Sequence, residues 1–214
     1  DVGMVRESNQ DSYTTGELPN GVAWAVVCDG MGGAAGGNVA SSTAVKVIAE
    51  QITSSFRPGM SAKSIKNMMV SAINAANISV YDISCSNSEL YGMGTTVVCA
   101  IVMEHIAYIA HAGDSRAYIV SHGALNQLTR DHSVVQELVE HGKITALEAK
   151  RHPNKHKITR AVGVSREILV DFCEQEMKDG DVLLLCTDGL TNFVESDEMC
   201  DLTKDDMFYE FAER

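Results

Sequence analysis

Proline is scarce in this chain of 214 residues: Pro19, Pro58 and Pro153 are the only three. No internal repeat, low-complexity tract or linker accompanies them, so no domain boundary suggests itself and one domain of 1–214 is the expectation. Positive charge is the second shortage. Seventeen Lys and Arg face 29 Asp and Glu, a net charge of −12, which disfavours general binding to nucleic acid because phosphate backbones would be repelled. No apolar run approaches the ~18 residues that a membrane-spanning helix needs, and no secretory signal opens the chain. The six cysteines (28, 85, 99, 173, 186 and 200) include no C-x-x-C pair and sit mostly in apolar runs such as VVCDG and LLLCTDG. They read as buried free thiols rather than disulfides or zinc ligands, which fits a reducing, cytoplasmic setting.

What is present is enough apolar material for a core, 45% of the residues. Residues 22–28 (VAWAVVC) predict a buried strand, and a Gly-rich stretch over 30–37 leads into a helix near 38–54. Arg57-Pro58-Gly59 breaks it, and a second helix follows over about 62–82. The texture then changes. Residues 95–103, 106–112 and 116–120 are short, β-branched or aromatic runs separated by Gly and polar residues, as in a meander. Residues 133–151 predict irregular helix with a break at Gly142; 168–174 and 182–187 predict two more strands. Helices and strands are segregated, so the fold class expected is α+β with helices on antiparallel sheets, not a doubly wound parallel sheet.

The chemistry lies in aspartates at strand ends beside glycine. Asp29-Gly30 ends the first buried strand, Asp114 sits in Gly113-Asp114-Ser115-Arg116 between two strands, and Asp188-Gly189 ends VLLLCT. Asp11 closes an Arg6-x-x-Asn9-Gln10-Asp11 run. One Asp-Gly alone reads as a turn. Several carboxylates delivered to rigid strand tips would repel one another unless a cation lay between them, and all-oxygen donor sets favour Mg2+, Mn2+ or Ca2+ over zinc.

DVGMVRESNQD, VVCDGMGG, GMGTT, HAGDSRAYIV, LTRDHS, ITRAVG and LLLCTDGL stand in the order and approximate spacing of the type 2C metal-dependent protein phosphatases, of bacterial style, and the chain resembles that family from Asp1 to about Leu190. The resemblance implies a four-layer sandwich, two antiparallel β-sheets flanked by α-helices. It implies hydrolysis of phosphoserine and phosphothreonine in proteins by a metal-activated water, with two or three Mn2+ or Mg2+ ions and phosphoprotein substrates that include a Ser/Thr kinase and its targets. It also implies roles: Asp29 bridging two metals with help from the Gly30 carbonyl, Asp188 as the second main ligand, Asp11 acting near the metals through bound waters, Asp114 joining Asp188 around a third, weaker ion, and Arg6 gripping the phosphate. A guanidinium fork suits phosphate oxygens. None of the six cysteines has Arg six positions later, so the cysteine-dependent phosphatase loop is absent.

Residues 134–157 resemble the family's flap beside the active site. The family's last motif, a Gly-rich turn with an Asp-Asn pair and a closing strand, is missing. Asp201, Asp205 and Asp206 near the end read as solvated helix charges. A start at Asp1 and a stop at Arg214 within an amphipathic pattern (Phe208, Phe211) suggest a trimmed chain, truncated before that motif. Many bacterial relatives carry His where Ala34 stands, which leaves His132 and His152 as candidate general acids. Two rivals remain in the sequence. Gly30-Met31-Gly32-Gly33-Ala34-Ala35 with Glu50 imitates a dinucleotide-binding turn, and the missing motif admits a pseudophosphatase or regulatory phosphoprotein-binding module.

Overall fold

The computed structural model describes residues 8–202. Strand β1 (Asp11–Leu18) and β2 (Val22–Met31) form a hairpin. Its turn uses Asn20 and Gly21 at φ 69° and 71°, the left-handed pair that matches strand twist in a tight hairpin. Two long helices follow, α1 (Gly33–Ser55) and α2 (Ala62–Ser86), the second capped by the Ser61 hydroxyl accepting from the Ser64 N–H. Then come β3 (Gly94–Thr95), β4 (Val97–Met103), β5 (Ile106–Ala112), β6 (Arg116–Ser121) and β7 (Ala124–Gln127). Short helices α3 (Val134–Glu140) and α4 (Ala146–Arg151) precede β8 (Asp171–Glu176), β9 (Val182–Cys186), α5 (Asp188–Thr191) and α6 (Ser196–Leu202).

The strands make two sheets, β1-β2-β4-β5-β8 with β3 appended to β2, and β7-β6-β9. All named pairings are antiparallel. The period-two alternation of the central strands divides their side chains between two cores. Val26, Cys28, Cys99 and Ile101 pack with Ile48 and Ile52 of α1 and Ile65 and Ile73 of α2. The alternate residues Val27, Val98, Ala100 and Ile109 pack toward Ala117, Leu183 and Leu185 of the second sheet. The order is therefore helices, sheet, sheet, with α6 beside β7, where the Cys200 thiol donates to the Gly123 carbonyl at 2.9 Å. The α+β sandwich expected from the sequence is the architecture found.

The antiparallel neighbours of β2 remove the dinucleotide reading. That site needs a parallel β-α-β unit, whereas β2 lies between antiparallel β1 and β4, and Glu50 is exposed along α1. Other differences are local. The first helix starts at Gly33 rather than 38, and the predicted strand at 168–174 lies at Asp171–Glu176. The irregular 133–151 helix is two helices, parted by a turn with Gly142 at φ 65°. Arg6 lies outside the described residues, as do Asp205, Asp206, Phe208, Phe211 and Arg214; Asp201 is exposed on α6.

Candidate metal centre and its groove

Four of the predicted aspartates converge at one edge of the sandwich. Register places Asp11, the first residue of β1, opposite Asp29 near the end of β2. Like charges facing each other across a strand pair are unfavourable. Asp188 opens α5 directly after β9 and Thr187, and Asp114 sits in the turn between β5 and β6. All four carboxylates are half-buried. Burial first, then the charges of Asp11, Asp188 and Asp114, push the Asp29 carboxyl up to about 8. Burial and the Asp188 charge push Asp114 up to about 6. An aspartic acid that holds its proton near neutrality marks negative charge brought together without compensation.

The backbone around these carboxylates is tightly held. The Asp29 N–H donates to Thr96 Oγ1 at 3.0 Å, and its carbonyl accepts from Thr96 N–H and Thr95 Oγ1 at 2.9 and 2.8 Å. The Asp11 N–H donates to Asn9 Oδ1, and Thr187 Oγ1 donates to Asp11 Oδ2 at 3.0 Å, tying the end of β9 to β1. Asn192 Nδ2 donates to Asp188 Oδ2 at 2.9 Å. Gly30 is pressed between two other segments. A Cβ there would lie 2.1 Å from the Gly37 carbonyl oxygen and 2.8 Å from that of Gln10, which already accepts the Gly30 N–H at 3.1 Å. The glycine in this motif serves close backbone approach.

The donor set fits a hard divalent cation. It is all oxygen, anionic and half-buried, as Mg2+ and Mn2+ prefer. Among the described residues, the three ligand-type side chains whose ligand atoms lie within 4.8 Å of one another are His111, His132 and Asp171, but their geometry is that of a hydrogen-bonded cluster. Arg160 Nη1 lies 2.6 Å from Asp171 Oδ1 and 3.0 Å from His132 Nε2, so a guanidinium stands where a cation would go.

Residues 134–157 form an excursion closed at its base, where the Val134 N–H donates to the Lys157 carbonyl at 2.9 Å. Between its helices and the aspartates lies a groove of about 320 Å3, lined among others by Asp114, Asp131, Asp188, Lys150 and Lys155. Lys150 Nζ reaches Glu195 Oε2 at 2.7 Å across it. The two histidines singled out in the sequence are otherwise engaged. His132 is 1% exposed, and His152 Nδ1 accepts from the Asn154 N–H at 3.1 Å. His156, another histidine of the excursion, is exposed and places Nδ1 3.9 Å from Asp188 Oδ2.

Comparison with known proteins identifies the family. The family described as Protein phosphatase 2C matches residues 5–214. The serine/threonine phosphatase stp of Listeria monocytogenes is 37% identical over 204 residues, 95% of this chain and 81% of that protein. Protein phosphatase PhpP of Streptococcus pneumoniae is 34% identical over 208 residues, 97% of this chain and 83% of that protein. Among solved structures, the S. agalactiae serine/threonine phosphatase superposes with a TM-score of 0.92 at 31% identity, covering 100% of this chain and 88% of that one. The Mycobacterium tuberculosis phosphatase PstP/Ppp gives 0.89 at 32% identity, covering 100% and 86%.

Proposed function

This chain belongs to the protein phosphatase 2C family, and from that premise we propose that Asp11, Asp29, the Gly30 carbonyl, Asp114 and Asp188 hold the divalent ions of a protein serine/threonine phosphatase. That the enzyme hydrolyses phosphoserine or phosphothreonine in proteins follows from the family and from relatives named for that activity over most of their length. Nothing in the comparisons favours the pseudophosphatase alternative. The observation that carries the metal reading is the convergence of four aspartates on Asp29, whose carboxyl is pushed up to about 8.

The family is generally Mn2+- or Mg2+-dependent; we assign this site two ions, with a third at Asp114 and Asp188. When bound, such ions lower the pKa of a water and neutralise charge on phosphoryl oxygens. The chain's own residues do the rest. Asp29 and Asp11 are fixed face to face by register, with Thr187 holding Asp11 Oδ2 and Thr95 and Thr96 holding the Asp29 backbone. Asp188 and Asp114 line the groove under α3 and α4, which gives a phosphorylated segment room to lie against the cluster. Lys155, and Lys150 in its pair with Glu195, place ammonium groups along that groove, which supports reading 134–157 as a flap that contacts the substrate. Arg6, outside the described residues, completes the proposal as the phosphate-gripping group. A bacterial Ser/Thr kinase and its targets are the proposed substrates.

A cytoplasmic setting is part of the reading: none of the six cysteines, all among the described residues, forms a disulfide. Among the described residues no helix is long and apolar enough to cross a membrane.

Hydrolysis of a phosphothreonine peptide tests the assignment. Phosphate release is expected with Mn2+ or Mg2+ and should fall to background in EDTA. Release undiminished by EDTA would contradict it.

A further inference from the structure

Three residues of the turn Gly113-Asp114-Ser115-Arg116 are gripped, all but Asp114, which lines the groove. Arg116 makes a two-pronged pair with Asp131, Nε to Oδ1 at 2.8 Å and Nη2 to Oδ2 at 2.6 Å. Ser115 Oγ lies 2.6 Å from Thr96 Oγ1, the same hydroxyl that accepts the Asp29 N–H. Gly113, at φ 115°, is held from both sides by one residue: its N–H donates to His132 Nδ1 at 3.1 Å, and its carbonyl accepts the His132 N–H at 2.9 Å.

We infer that His132 is a positioning residue for Asp114, its imidazole fixing the Gly113 peptide so that the carboxylate is delivered beside Asp188. The hydrogen bonds define the tautomer. Nδ1 accepts from a backbone N–H, so the proton sits on Nε2, which faces Asp171 Oδ2 at 3.1 Å. Asp171 is in turn held by Arg160 at 2.6 Å. On its face the ring stacks on His111, centroids 4.8 Å apart and planes 5° from parallel. His111 Nε2 donates to the Arg130 carbonyl at 3.0 Å. A ring clamped on its face and at both nitrogens cannot tilt, and Gly113 cannot shift without losing its acceptor. Buried neutral imidazoles suit this role, and burial lowers the pKa of both histidines from the ordinary value. Groups outside the ligand set that orient it commonly govern metal affinity by roughly 10–100-fold.

The inference rests on the reading of Asp114 as a cation ligand, and the experiment separates the two. Mn2+ affinity is measured by calorimetry, and kcat and KM are measured as functions of Mn2+, for His132→Asn, His132→Gln and Asp114→Asn. Asn places an amide oxygen where Nδ1 stands and keeps the acceptor for Gly113. Gln reaches toward Asp171 and abandons it. The expected result is that Gln weakens the weakest Mn2+ step about 10–100-fold with little change in KM for the peptide, while Asn stays within about threefold of wild type. A purely structural role moves the two variants together. Equal shifts, or no shift with Gln, overturn the inference while an effect of Asp114→Asn leaves the ligand reading standing. An unchanged Mn2+ titration in Asp114→Asn fails that reading instead. If His132→Gln does not fold, Asp171→Ala, which removes the acceptor at the ring's far nitrogen, should shift Mn2+ affinity in the same direction. No shift there also overturns the inference.

Discussion

Replacing Asp29 by Asn should raise the melting temperature of the metal-free protein at pH 8 while abolishing metal-dependent hydrolysis. The two effects share one cause. In the folded, metal-free chain the Asp29 carboxyl titrates near 8 because burial and the charges of Asp11, Asp188 and Asp114 oppose its ionisation; in the unfolded chain it titrates near the ordinary value of 3.8. Between those values the folded state binds a proton that the unfolded state lacks. The stability contributed by this group is therefore complete below about pH 4 and lost as pH rises through about 8. Asp114, pushed up to about 6, adds to the same slope. Asn cannot ionise, so the variant should lose much of that slope and melt on the order of 5 °C higher at pH 8, where about 1 kcal/mol corresponds to a few degrees. The same change deletes a residue that would hold the metal. A loss of several kcal/mol of transition-state stabilisation, each ~1.4 kcal/mol being tenfold, means a fall in kcat of about 10³-fold or more. Thermal melts in EDTA and rates in saturating Mn2+ check the two halves separately.

Gly30→Ala should be damaging in the opposite manner, by destroying the frame rather than the charge. The added methyl would stand 2.1 Å from the Gly37 carbonyl oxygen, 2.5 Å from its carbon and 2.8 Å from the Gln10 carbonyl oxygen. These are backbone atoms of two other segments, and no side chain can rotate away to make room. Relief requires β2, the approach to β1 and the first turn of α1 to separate, which breaks the Gly30 N–H bond to Gln10. Forced overpacking of this kind costs about 3–5 kcal/mol, at the upper end for single substitutions. Urea unfolding should show a midpoint lowered accordingly, and Mn2+ affinity should fall because Asp29 and Asp11 lose their register.

Much of this was legible before any coordinates. The strand-tip aspartates are local signals: an apolar run that ends in Asp-Gly states both the burial of the strand and the position of the carboxylate. The central strands β4, β5 and β6 announce themselves by β-branched runs, and α1 and α2 by their apolar faces. β1 does not, because DSYTTGEL is polar and lies at the sheet edge, where only Leu18 is fully buried and Tyr13 is 77% exposed. β7 is four residues long and mostly exposed. The supporting groups were harder still. Thr187 meets Asp11 across 176 residues of sequence, and Thr96 meets Asp29 across 67. Both stand inside quoted motifs, GMGTT and LLLCTDGL, yet a threonine carries no mark of such a partner. Asp131 and His132 stood inside a recognised motif, yet only the fold shows them closing on Arg116 and Gly113.

The most direct test of the account is a calorimetric titration with Mn2+ at pH 7, run in buffers of different ionisation enthalpy. If the aspartates form the metal centre, binding must displace the proton that Asp29 retains at this pH. The account predicts multi-ion binding with release of at least about one proton per chain, and weakened binding with about one proton fewer released in Asp29→Asn. Binding that releases no proton and is indifferent to Asp29→Asn would place the metals elsewhere and contradict it.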